Sequence, residues 1–156
     1  MCSSDLAPPP VAHAPGWDAI RYDIELALPE GPGWIAGRTR LEVARVQPVD
    51  SILRLDLVGL LAERVTVDGR SVPVVQRDGT LIVVTGGGRV DDTVRVEVVY
   101  AGVPDDGLIL GRTQEGTASA FADNWPDRAR FWFPSIDHPS DKATVAFTVH
   151  APAAWS

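Results

Sequence analysis

The chain has one lysine, one cysteine and no run of about 18 apolar residues, and each scarcity closes off a class of function. A single cysteine, Cys2, forms no internal disulfide and builds no thiolate metal cage, so it leaves the redox compartment open. The absence of a long apolar run leaves no candidate for a membrane-spanning helix. Lys142 is the sole lysine among 14 basic residues, set against 21 acids, and the net charge is −7. That balance excludes nucleic acid as a partner, because phosphate binding needs a clustered basic face. The arginine excess accompanies abundant Ala, Val, Gly and Pro, the residue usage of a GC-rich genome rather than a sign of an arginine site. There is also no G-x-S-x-G elbow and no H-E-x-x-H pair. TGGGRV at 85–90 has neither the lysine nor the following helix of a phosphate loop. On composition and spacing this is a β domain without a self-contained catalytic centre.

What the sequence does contain is β pattern. Tyr22–Leu28 alternates apolar and polar residues, as does Trp34–Val46 after a GPG turn, and Ser51–Leu57 is a third strand. Asp68-Gly69 and Asp78-Gly79 each lie between β-rich runs, the strongest short-range hairpin signal. Thr93–Ala101 is a long strand, and Ala143–His150 closes the chain. No segment has sustained helical spacing; LVGLLAERV has room for at most one turn beside Gly59. Frequent glycines and prolines mark short strands joined by turns. The predicted fold is all-β, an antiparallel sandwich or saddle-like pair of open sheets.

Residues 1–16 stand apart. MCSSDL back-translates as GTG-TGC-TCT-TCC-GAT-CT, a string similar to a sequencing adaptor, and Met1–Leu6 is therefore expected to be a processing scar. A lipoprotein start with Cys2 as the lipid-bearing residue competes, but the hydrophobic segment that should precede it is missing. APPPVAHAPG at 7–16 is an extended linker, and 17–156 is one β domain.

The chemistry-bearing residues crowd into Trp125–Pro152, WPDRARFWFPSIDHPSDKATVAFTVHAP. Asp137, His138 and Asp141 could hold a divalent cation, but Pro139 at their centre favours a turn in which Asp caps backbone N–H groups. Arg128, Arg130 and Lys142 could bind an anion. The favoured reading is that Arg130 and Lys142 pair with Asp127, Asp137 or Asp141 and lock the loop onto the sheet. Trp125, Phe131, Trp132 and Phe133 suit either a stacking platform or a plug for the end of the sandwich. His13 and His150 have no partner predictable from spacing.

Ala129–Thr144, ARFWFPSIDHPSDKAT, resembles the A-R-x-x-F-P-C-x-D-x-P-x-x-K-A-T signature of the aminopeptidase N-like zinc metallopeptidases. Weaker landmarks agree in order: Tyr22-Asp23, Gly37, Leu55-Asp56, Tyr100-Ala101-Gly102 and Gly107-Leu108. The resemblance covers about residues 20–152 and implies the family's N-terminal β domain, stopping before the catalytic domain. It also implies the role of a non-catalytic cap that contributes to the substrate rim of a peptide-hydrolysing enzyme. Zinc would belong to that missing catalytic domain, with no cofactor in this chain. The implied partners are the catalytic domain and peptide substrates, and the chain should be inactive alone. Within the signature, Arg130, Pro134, Asp137, Pro139 and Lys142 are the architectural residues. One position departs. Where family members place the glutamate of Q-x-E-P, which helps bind the substrate's free amine, this chain has Trp125. The expected substrate contacts are therefore Asp123, Asn124 and Trp125. A stand-alone module binding peptide or glycan through Trp125 and Trp132 is the alternative.

Overall fold

The computed structural model describes residues 14–30, 33–48 and 51–155. The expected scar at Met1–Leu6, most of the linker, His13 and part of the GPG turn lie outside the described residues. Among the described residues eleven strands and one short 3₁₀ turn follow one another: β1 Trp17–Ala27, β2 Ile35–Arg45, β3 Ile52–Asp56, β4 Leu61–Val67, β5 Arg70–Val72, β6 Val75–Arg77, β7 Thr80–Val84, β8 Thr93–Gly102, β9 Leu108–Arg112, β10 Ala118–Ala122, the turn Ala129–Phe131, and β11 Thr144–His150. Among the described residues no helix is long and apolar enough to cross a membrane.

A six-stranded sheet in the order β11-β1-β2-β8-β4-β5 faces a three-stranded sheet in the order β3-β7-β6, and β9 with β10 forms a separate ribbon. Period-two alternation builds the interface between the two larger sheets. On β2, Ile35, Gly37, Thr39, Leu41, Val43 and Arg45 are buried, while Ala36 and Arg40 face water. On β8, Val94, Val96, Val98 and Tyr100 turn inward. Leu53, Leu55, Leu81 and Val83 of the smaller sheet join the same apolar cluster, which makes the molecule a sandwich. The outer face is a lattice of paired charge: Arg40 sits opposite Glu97 at 3.0 Å, and Arg95 opposite Glu42 at 3.9 Å. Such exposed cross-strand pairs favour register more than stability.

Both Asp-Gly pairs form the expected hairpins. Asp68 and Gly69 have φ of 48° and 79°, and Asp78 and Gly79 have 51° and 74°, the left-handed pairs of a two-residue turn whose twist matches its strands. LVGLLAERV contributes no helix; it turns into β4 at Leu61. The fold starts before Trp17, since Ala14 is buried and Gly16 O accepts the Val46 N–H at 2.8 Å.

Two features differ from the sequence reading. The β9–β10 ribbon carries no strong strand signal, because Gly111 and the small residues of ASAFA blur the alternation. The closing strand β11 lies parallel to β1, from Arg21↔Thr144 to Ala27↔His150, so the sheet is mixed at one edge although its other ladders are antiparallel. A parallel pair needs a long crossover, and here the whole body of the domain supplies it.

Candidate functional site

The signature segment is a brace. Arg130 Nε donates to Asp137 Oδ2 at 3.0 Å, the Arg130 N–H reaches the same oxygen at 3.1 Å, and Nη2 donates to the Asp137 carbonyl at 3.1 Å. Asp137 N–H in turn donates to Asp56 Oδ2 at 3.2 Å, while Asp56 and Ser135 exchange backbone bonds at 2.8 and 3.2 Å. The loop is thereby stitched to the end of β3. Burial opposes the Arg130 charge, but Asp137, Asp56 and Asp127 outweigh it and hold the guanidinium pKa above its ordinary value. Pro134 is buried beside this brace, and Pro139 is exposed at the bend. Lys142 is exposed and makes none of the ion pairs expected of it with Asp127, Asp137 or Asp141. Asp127 and Asp137 are instead taken by Arg130, which reaches both from the 3₁₀ turn.

The aromatic residues split into two roles. Trp132 and Phe133 are buried with ring centroids 4.7 Å apart, edge to face, and Trp132 stacks on Phe147 of β11 at 5.7 Å. Trp132 therefore plugs the end of the sandwich rather than standing out beside Trp125 as an exposed platform. Trp125 is 77% exposed.

Asp123, Asn124 and Trp125 follow β10 directly, and their loop is well tied. Asp123 N–H donates to Gly107 O at 2.8 Å, and its carboxylate accepts the Trp125 N–H at 3.2 Å and Arg128 Nη1 at 3.3 Å. Arg128 also lies 3.6 Å from Asp106. Asn124 Oδ1 accepts the Trp132 Nε1–H at 2.8 Å. Asp123 is thus partly neutralised and Asn124 is engaged, though both remain accessible, and the exposed Trp125 indole is the large apolar side chain that the three residues offer to solvent. Beside the loop runs a mostly apolar cleft of about 470 Å³, lined by Leu26, Leu108, Asn124, Trp132, Phe147 and Trp155.

The two described histidines are engaged separately. His138 Nδ1 lies 2.6 Å from Ser140 Oγ, and His150 Nε2 lies 3.1 Å from Glu25 Oε1. Among the described residues no group of three or more His, Cys, Asp or Glu is placed to hold a metal ion. Sequence reasoning passed over Asp56 and Arg128 as bracing residues. Asp56 was visible only as a landmark and Arg128 only as a candidate anion ligand, because their partners are remote in sequence or set by the loop's shape.

Fold and brace together define a β-sandwich unit with a loop braced to its end, and comparison with known proteins gives what it is similar to. No family model matches the chain. The M1 zinc metallopeptidase of Deinococcus radiodurans is 30% identical with a TM-score of 0.75, over 89% of this chain and 33% of that one. Tricorn protease-interacting factor F2 of Thermoplasma acidophilum is 36% identical over 101 residues, 62% of this chain and 12% of its own length. Yeast LTA4 hydrolase shares the fold at a TM-score of 0.77 and 19% identity, over 97% of this chain and 26% of its own. In sequence and fold the chain is similar to an N-terminal-domain-like β unit of the M1 zinc metallopeptidases. It spans about a third of the length of the solved metallopeptidase it matches.

Proposed function

We propose that this chain is the non-catalytic β unit of a zinc aminopeptidase, capping the active site and lending residues 123–125 to the rim of the substrate cleft. The observation that carries this reading is the match of 89% of the chain to one third of a metallopeptidase at 30% identity. A variant of that Deinococcus enzyme binds a Tyr-Ser-Ala substrate, which suggests short peptides with a free N-terminus. The metal ligands and general base would lie in a catalytic domain outside this chain, in the two thirds of the related metallopeptidase that the chain does not span. The catalytic domain would cover the apolar face of β11, where Val145, Phe147 and Val149 are 49–52% exposed. At the rim, the Trp125 indole would stack on substrate, with Asp123 and Asn124 fixing its approach.

The deciding experiment reads the coding DNA beyond Ser156. A frame continuing into H-E-x-x-H supports the reading, and a stop codon in its place overturns it. In the full-length enzyme, Trp125→Ala and Asp123→Ala should raise KM for peptides with a free amine more than they lower kcat. Unchanged KM in both variants would remove the loop from the substrate site.

A further inference from the structure

β11 forms one edge of the six-stranded sheet, and among the described residues no strand pairs with its outer side. Its register with β1 fixes which backbone groups remain there. His150 O accepts the Leu28 N–H at 2.9 Å, in step with the parallel pairing Ala27↔His150. Alternate residues of a parallel strand bond to the same neighbour, so Thr144, Ala146, Thr148 and His150 turn their N–H and C=O groups toward β1. The N–H and C=O groups of Val145, Phe147 and Val149 therefore point to the free side. Such an edge is a template for another chain unless charge, proline or a bulge blunts it. Nothing blunts this one. TVAFTVH has no proline and no acid, its one titratable residue is His150, held by Glu25 at 3.1 Å, and its register with β1 is unbroken.

The residue order of the strand matches a second copy of itself. Thr144–His150 has nearly the same pattern in both directions about Phe147. Antiparallel pairing on a two-fold axis at that point sets Phe147 opposite Phe147, Val145 opposite Val149 and Ala146 opposite Thr148. The three outward-pointing residues of each copy then meet, giving about six hydrogen bonds, two at each of three facing pairs. Val145, Phe147 and Val149 are each about half exposed, and their apolar row continues across the seam as Val–Val and Phe–Phe pairs. Charge is compatible with this pairing. Each chain carries −7, yet the seam contains no acid. Lys142, in no salt bridge among the described residues, lies at the end of the strand that meets the Glu25 end of the other copy.

We propose that the free edge of β11 binds a second copy of this chain, antiparallel about Phe147, and so joins two six-stranded sheets into one. The surface is the edge of the strand rather than its apolar face. It is independent of the peptidase reading, because it rests on the backbone register and residue order of β11. A seam of seven residues falls well short of the roughly 1,200 Å² of a stable interface, so the dimer is weak, with a dissociation constant on the order of 0.1 mM.

Sedimentation equilibrium of the 156-residue chain tests this first. The average mass should rise roughly 1.5-fold between about 10 µM and about 1 mM, as a dissociation constant of that order requires. Val149→Pro removes a seam N–H and leaves the bonds from β11 to β1 in place. The variant should keep the far-UV circular dichroism of the parent and sediment as a monomer over the whole range. Cross-linking in a Cys2→Ser background reads the register. Phe147→Cys would face its own copy at a Cα separation of about 5.5 Å, within disulfide reach, whereas Val145→Cys would lie about 14 Å from its copy. Under mild oxidation Phe147→Cys should form the covalent dimer on the order of tenfold faster. If the proline variant fails to fold, the two cysteine variants decide. A mass independent of concentration, a dimer that survives in folded Val149→Pro, or equal cross-linking at the two positions would each overturn the proposal.

Discussion

Gly37→Ala probes how closely the two central strands of the large sheet are keyed together. Gly37 on β2 lies directly opposite Tyr100 on β8. A Cβ at Gly37 would overlap Cζ, Oη and Cε2 of the tyrosine ring. Tyr100 is fully buried, and its hydroxyl lies 3.5 Å from Thr39 Oγ1 inside the core, so the ring has no open side into which to move. Its burial also raises the phenol pKa, which keeps the ring neutral. Overpacking of this kind costs about 1–3 kcal/mol. In a chain of this length each kcal/mol lowers Tm by roughly 2–4 °C, so Gly37→Ala should melt roughly 2–12 °C below the parent. Far-UV circular dichroism during heating and urea titration measures both quantities. A double-mutant cycle isolates the cause: with Tyr100→Leu in the background, the alanine should cost about 1 kcal/mol less. Melting within about one degree of the parent, or an equal cost in both backgrounds, would refute the overlap as the reason for glycine.

Three further outcomes are expected. Asp137→Ala strands Arg130 in a mostly buried brace and should cost about 2–4 kcal/mol, with Asp137→Asn costing less, whereas Lys142→Ala should stay within about 0.5 kcal/mol; urea midpoints distinguish them. Unfolding free energy should decline as pH rises from about 4 through about 6, because Asp141 takes up its proton on folding, and Asp141→Asn should flatten that part of the profile. The 156-residue chain alone should bind a hydrophobic dye through Val145, Phe147 and Val149, and Phe147→Asp should weaken the signal; a dye-silent parent would argue against a covering domain at β11.

Much of the fold was legible because its signals are local. The Asp-Gly pairs at 68–69 and 78–79 carry their own turn geometry, and the alternation of Ile35–Arg45 and Thr93–Gly102 shows which side chains face inward. The ribbon Leu108–Ala122 escaped for the opposite reason: short strands of small residues outside the main sheets have little periodicity to read. The candidate loop at Asp123–Trp125 was located by position in a motif, but its chemistry was not. Nothing in FADNW reveals that Asp123 is taken by Arg128 or that Asn124 is held by Trp132.

The amino-acid sequence by itself determined the all-β class, the hairpins and the resemblance to one peptidase domain, because each depends on residues close along the chain. Tertiary structure alone decided that β11 runs parallel to β1, that Arg130 rather than Lys142 locks the loop, and that Trp125 faces solvent while Trp132 is buried. It also brought the Asp141 carboxylate to the Ala19 N–H, 122 residues away. Such pairings depend on where the chain returns after the sandwich has closed, and no local spacing encodes that return.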